Sequence, residues 1–134
     1  WLVVVVEAAR RSGALITAAR ARRYLGRYRE VRHLLVGAWY PLLPYSRDKA
    51  QWLASQYHRP DLDEGMILVF RRAESRYRST EVALRGLDPA ATYEFTSDRT
   101  GEKAQVKGAD ARERLQLALP QRRQSDLITY RRRP

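Results

Sequence analysis

The sequence predicts a mainly β protein, an antiparallel β-sandwich of about seven strands with an N-terminal amphipathic helical arm. Three observations predict it. From residue 50 onward apolar and polar residues alternate at period two, in short runs. Turn chemistry separates those runs at Arg59-Pro60-Asp61, Asp63-Glu64-Gly65, Gly86-Leu87-Asp88-Pro89, Arg99-Thr100-Gly101 and Lys107-Gly108. Before residue 37 the spacing is instead three and four, the period of a helix with one apolar stripe.

The chain opens on Trp1-Leu2-Val3-Val4-Val5-Val6, a β-branched run that reads as a short buried strand. Residues 14–36 read as one helix, with Leu15, Ala18, Ala21, Leu25, Tyr28, Val31 and Leu35 on the stripe and Arg20, Arg23, Arg27 and Glu30 largely off it. Ser12-Gly13 marks its start, and Gly37 is its expected stop, as a left-handed cap without a Cβ penalty. Gly26 weakens its middle by about 1 kcal/mol relative to alanine. Ala38-Trp39-Tyr40-Pro41-Leu42-Leu43-Pro44-Tyr45-Ser46 follows, and its two prolines make it an ordered, non-helical connector. Strands are expected at 51–58, 65–71, 79–85, 91–97, 102–107, 113–119 and 125–131. The division expected is residues 1–46, arm and connector, and residues 47–134, the sandwich.

Composition removes several chemistries. With Cys 0 there is no disulfide, thiolate metal site or cysteine nucleophile, and His33 and His58 are too few for a multi-histidine cage. No cofactor and no metal are therefore expected. No apolar run approaches the ~18 residues of a membrane span, so no membrane association is expected, and the lack of a signal-peptide pattern points to the cytoplasm.

The net charge of +11 is carried almost wholly by arginine, with only Lys49, Lys103 and Lys107 besides. Such an excess suits nucleic acid. The arginines, however, are dispersed as singles and pairs, the one run being Arg131-Arg132-Arg133, and no nucleic-acid motif accompanies them. Solvated faces account for them more simply, and a nucleic-acid partner is not expected.

No phosphate loop, dinucleotide fingerprint, nucleophile elbow or paired-histidine zinc pattern is present. His58, at a strand end, reads as a hydrogen-bonded structural histidine. Asp61, Asp63 and Glu64 form a solvated turn, because the glycine and distal bidentate glutamate of a calcium loop are missing. No residue is assigned a catalytic role. The candidates for carbohydrate contact are Trp39, Tyr40 and Trp52, whose rings suit the C–H faces of sugars.

From residue 21 to the end the sequence resembles the C-terminal portion of bacterial alpha-galactosidase-like glycoside hydrolases of family 36. The resemblance rests on Tyr28-Arg29-Glu30-Val31-Arg32, Gly37-Ala38-Trp39-Tyr40-Pro41-Leu42-Leu43-Pro44-Tyr45-Ser46, Gln56-Tyr57-His58-Arg59-Pro60, residues 65–75, Leu84-Arg85-Gly86-Leu87-Asp88-Pro89, Ala91-Thr92-Tyr93-Glu94 and Leu127-Ile128-Thr129-Tyr130, in that order. It implies that a β/α barrel carries the chemistry, that residues 1–46 are the remnant of that barrel's end, and that the sandwich packs on it. The family's catalytic aspartates lie upstream of the part matched here, so none is carried over. Ala38 stands where an acidic residue is usual and Leu43 where threonine is usual.

The reading that follows is a non-catalytic accessory domain or truncated fragment of a glycoside hydrolase, whose partner is a catalytic barrel. Self-association through helix 14–36 is expected when that barrel is missing. The alternatives are an autonomous carbohydrate-binding module and an arginine-rich nucleic-acid binder.

Overall fold

The structure, a computed structural model, describes residues 18–134. The strand expected at 1–6 and the helix start expected at 14–17 lie outside the described residues. The chain forms two compact units, Trp1–His33 and Leu34–Pro134, taken here in turn.

In the first unit the described residues form helix α1, Ala18–Val31. Arg27 and Glu30 pair across one turn at 2.8 Å. Val31 is buried, Tyr28 is half-buried, and Tyr24 and Leu25 are exposed. The α-helix stops at Val31, short of the expected residue 36, and Arg32–Val36 continue as a 3-10 helix. The Gly37 N–H closes that tighter turn on the Leu34 carbonyl at 3.0 Å. Gly37 is not left-handed, which corrects the capping role read from the sequence; only Gly86 and Gly101 among the described glycines have positive φ. Its requirement is space, because a Cβ there would overlap the His58 carbonyl.

The second unit contains strands β1 Ala38–Pro41, β2 Leu53–Arg59, β3 Glu64–Phe70, β4 Ser79–Val82, β5 Thr92–Ser97, β6 Lys103–Lys107, β7 Leu115–Ala118 and β8 Ser125–Arg132, with a short helix α2 at Gly108–Glu113. All pairings are antiparallel. One sheet has the order β1-β2-β3-β8-β5-β6, and β4 and β7 form a second, two-stranded sheet. The last strand thus lies in the middle of the larger sheet.

Alternation decides the faces. Ala54, Gln56 and His58 of β2, Ile67 and Val69 of β3, Tyr93 and Phe95 of β5, and Asp126 and Tyr130 of β8 are buried on the inner face. Val82 of β4, Leu117 of β7, Ala111 of α2 and the loop residues Leu84, Leu87 and Leu119 complete the core against them. The architecture is a two-layer sandwich of unequal sheets.

Three local features differ from the sequence expectation. The connector contributes β1, which tolerates Pro41 because, among the described residues, β1 is an edge strand pairing only with β2. Residues 108–113 form α2 rather than leading into a strand, so β7 starts only at Leu115. β4 ends at Val82 because Leu84 turns to donate its N–H to the Ala111 carbonyl of α2, at 2.9 Å.

Some arginines are interior staples rather than solvated charges. Arg71 is only 5% exposed and donates to the carbonyls of Leu119 at 2.9 Å and Ser75 at 3.0 Å. Arg72 donates to the carbonyls of Ser46 at 2.7 Å and Asp48 at 2.9 Å, holding the 46–48 loop beside its own.

Residues 34–134 expressed without the preceding segment should unfold cooperatively, with β-sheet circular dichroism. Starting the chain at residue 47 removes β1 and should lower the unfolding free energy by about 1–3 kcal/mol. A disordered 34–134 polypeptide, or equal stability of the two, would contradict this division.

Candidate functional site

The three residues expected to contact carbohydrate do not share a surface. Trp39 and Tyr40 are neighbours on β1, so their side chains leave opposite faces of the sheet. Trp39 is 55% exposed on the outer face. Tyr40 sits in register with Gln56 on the inner side and lies under the Arg85 guanidinium, 5.9 Å from its ring centroid. Trp52 is 5% exposed, belongs to the core, and donates its indole N–H to Ser75 Oγ at 2.8 Å. Its ring is therefore committed to packing.

What the fold does bring together is a buried polar cluster on the inner face. Gln56 grips the Arg85 peptide at both ends, Nε2 to the carbonyl at 2.8 Å and Oε1 from the N–H at 2.9 Å. Its second amide hydrogen goes to the Tyr130 hydroxyl at 2.7 Å. That orientation leaves the Tyr130 proton for His58 Nδ1, 3.0 Å away. His58 is thereby the neutral tautomer protonated at Nε2, an atom buried without a hydrogen-bond partner. The two rings stack at 5.9 Å between centroids. Gly86, at φ 82°, passes close over the imidazole, and a Cβ there would meet His58 Cδ2 at 2.7 Å.

Beside this cluster, Tyr93 donates its hydroxyl to Asp63 Oδ1 at 2.7 Å and accepts the Asp88 N–H at 2.9 Å. Asp63 adopts a left-handed backbone at φ 50°, which aspartate tolerates, and this turns its carboxylate toward Tyr93 and Arg132. Arg132 Nη1 lies 3.2 Å from Asp63 and 3.3 Å from Asp88. Burial, helped by the bond to Asp63, pushes the Tyr93 phenol up to about 12, and burial also raises Tyr130. Burial lowers His58 below its ordinary 6.5, outweighing the opposing pulls of Asp63 and the Gly86 backbone.

Gln56, His58 and Tyr130 are buried and paired with one another, while Asp63, Asp88 and Arg132 form a partly exposed ion-pair cluster beside them. Of the three carboxylates in the 61–64 loop, Asp61 pairs with Arg59, Asp63 with Tyr93 and Arg132, and Glu64 stands opposite Arg131 in the sheet register. Among the described residues no group of three or more His, Cys, Asp or Glu is placed to hold a metal. Also among the described residues, no helix is long and apolar enough to cross a membrane.

The outer face of the six-stranded sheet carries a different pattern. Register aligns Trp39, Tyr57 and Met66 across β1, β2 and β3, and Leu53 with Phe70 beside them. Leu68 and Leu127 lie in the adjacent row. Trp39 and Phe70 are exposed, Leu53, Tyr57, Leu68 and Leu127 are half-buried, and Met66 is buried. At one end of this apolar strip Arg59, Glu64, Arg131 and Glu94 alternate in sign across four strands. Glu94 also draws Arg133 at 3.1 Å and Lys103 at 3.8 Å.

Sequence reasoning found His58 as a structural histidine but missed Gln56 and Tyr130 as its partners. The signal was the alternation Trp52, Ala54, Gln56, His58, which puts two polar side chains on a face otherwise meant for the core.

No family model matches the sequence, and no curated protein matches it. Solved structures do share its fold. The galactosidase domain of the alpha-galactosidase-sucrose kinase AgaSK superposes with a TM-score of 0.67 at 20% identity, covering 89% of this chain and 17% of that one. The family 36 alpha-galactosidase AgaA from Geobacillus stearothermophilus gives 0.65 at 22% identity, over 88% of this chain and 16% of that one. A substituted AgaA in complex with raffinose gives 0.68 at 19% identity, over 88% and 16%. The chain therefore has the fold of a segment of these alpha-galactosidases and spans about a sixth of their length.

Because folded His58 resists protonation while the unfolded imidazole titrates near 6.5, its contribution to stability is complete above 6.5. It is lost as the pH falls from there toward the lower folded value. Urea unfolding measured from about pH 8 to about pH 5 should show this decline. His58→Asn, which keeps an acceptor near the Nδ1 position but does not titrate, should flatten that part of the curve. An unchanged decline in the variant would contradict the assignment.

Proposed function

We propose that this chain is a non-catalytic accessory β-sandwich of a glycoside hydrolase resembling alpha-galactosidases, seated in the whole protein against a catalytic barrel. The observation that carries the proposal is the fold shared over 88–89% of this chain with enzymes of which it spans only 16–17%. The remainder of such an enzyme is the natural neighbour of exposed apolar side chains. The outer sheet face suits it, with Trp39 and Phe70 as apolar anchors and the Arg59, Glu64, Arg131, Glu94 row as a polar border that sets orientation.

The chemistry of the chain supports the non-catalytic part. Glycosidic cleavage needs two carboxyl groups facing one another across a substrate, roughly 5–9.5 Å apart. Asp61, Asp63, Asp88 and Glu94 are instead engaged by Arg59, Arg132 and Arg133, which hold them as structural anions. Self-association of the isolated chain is part of the same reading, resting on the exposed Tyr24 and Leu25 of α1.

The isolated chain incubated with raffinose should release no galactose. Reproducible turnover that disappears on Asp63→Asn or Glu94→Gln would overturn the non-catalytic assignment. The same preparation, sedimented over a concentration series, should associate, and a strict monomer would remove the self-association part.

A further inference from the structure

Two loops of the second unit face one another across an open cleft of about 420 Å³. One wall is the 43–52 segment, contributing Asp48 and Gln51, and the other is the 76–80 segment, contributing Arg76, Tyr77, Ser79 and Thr80. The volume falls in the range of ~300–1,000 Å³ usual for small-molecule sites. Both walls are held by hydrogen bonds within the chain, most of them to backbone carbonyls. Arg72 clamps the first wall through the carbonyls of Ser46, Arg47 and Asp48. The second is anchored at Ser75, which accepts the Trp52 indole N–H and whose carbonyl takes Arg71 and Arg122. Such a cleft is preorganised, so a ligand does not bear the cost of ordering it.

We infer that this cleft binds a short neutral saccharide, with the Tyr77 ring as the stacking face. Tyr77 is 76% exposed, an unusual position for a large aromatic ring flanked by polar groups. The side chains of Gln51, Arg76, Ser79 and Thr80 have no hydrogen bond or ion pair among the described residues, which leaves their donors and acceptors for a ligand. Asp48 spends Oδ1 on the Ala50 N–H at 2.9 Å and keeps Oδ2. Strand β4 pairs on one side only, so backbone groups at Ser79 and Thr80 border the cleft as well.

The balance of charge selects the ligand class. Arg76 faces a cleft that also holds Asp48, so an anion gains one cation and meets one carboxylate. A purely apolar ligand would strand the amide, the hydroxyls and both charges. A molecule with hydroxyls on its edges and a C–H face for the ring satisfies both kinds of wall. The aromatic ring used is not among those expected from the sequence, of which only Trp52 reaches this cleft, as buried floor. The inference is independent of docking to a barrel, since the cleft is formed by the second unit alone.

The full chain, labelled with nitrogen-15, should be titrated with raffinose and separately with maltotriose while amide shifts are followed. Saturable movement of residues 48–51 and 76–80 with a millimolar Kd for at least one trisaccharide is expected. Tyr77→Ala should weaken it roughly tenfold, while Trp39→Ala leaves it unchanged. No saturation with either sugar, or binding indifferent to Tyr77→Ala, would overturn the inference. Inorganic phosphate moving the same amides where neither sugar does would make the cleft an anion site and overturn it equally.

Discussion

The phenol of Tyr130 is the constraint on which the second unit depends. It stands on β8, the last strand, which is inserted between β3 and β5 and so joins two parts of the sheet made much earlier in the chain. The ring lies edge-on to Tyr93 at 6.0 Å and tilted on Phe95 at 5.3 Å, while the hydroxyl takes a hydrogen from Gln56 and supplies one to His58. Gln56 in turn grips the Arg85 peptide, and Arg85 covers Tyr40. One hydroxyl thus ties β8 to β2 and, through β2, to the loop that lids the core. A buried hydroxyl costs stability when it is left unpaired, which favours the register of β8 that brings Tyr130 to Gln56 and His58.

The same network shows how the titratable groups of the inner face are engaged with one another. His58 is enclosed and resists protonation, Tyr93 and Tyr130 are held in the phenol form, and Asp63 and Glu94 face arginines or a phenol. The exposed surfaces are of another kind. The outer sheet face is apolar with an alternating charge border, suited to a protein neighbour. The cleft beside β4 combines polar side chains with apolar ones and one exposed ring, suited to a small hydroxylated ligand. An accessory sandwich that steadies a catalytic domain at one face and meets carbohydrate at a separate cleft is consistent with both.

Much of this fold was legible because the strands are short, alternating and punctuated by turn residues. The runs at 51–58, 65–71 and 125–131 reappear as β2, β3 and β8 within two residues at each end. What sequence could not reveal was tertiary in origin. The prolines marked 38–46 as an ordered connector, and it is the pairing with β2 that makes Ala38–Pro41 a strand. Gly37 looked like a cap, but it answers to the nearby His58 carbonyl, far along the chain. Arg71 looked solvated because nothing local announces that Leu119 and Ser75 will offer it carbonyls. Tyr77, between two arginines, carried no sign that a cleft would open beside it.

The structural role of the buried cluster is tested most directly by Tyr130→Phe, compared with the parent chain in equilibrium urea unfolding at neutral pH. The substitution keeps the ring contacts and removes only the hydroxyl, leaving a Gln56 amide hydrogen and His58 Nδ1 without their partner. The account predicts a loss of about 1–3 kcal/mol with the folded state retained. Stability within about 0.5 kcal/mol of the parent would contradict it, because the phenol would then be a passenger in the core rather than its pin.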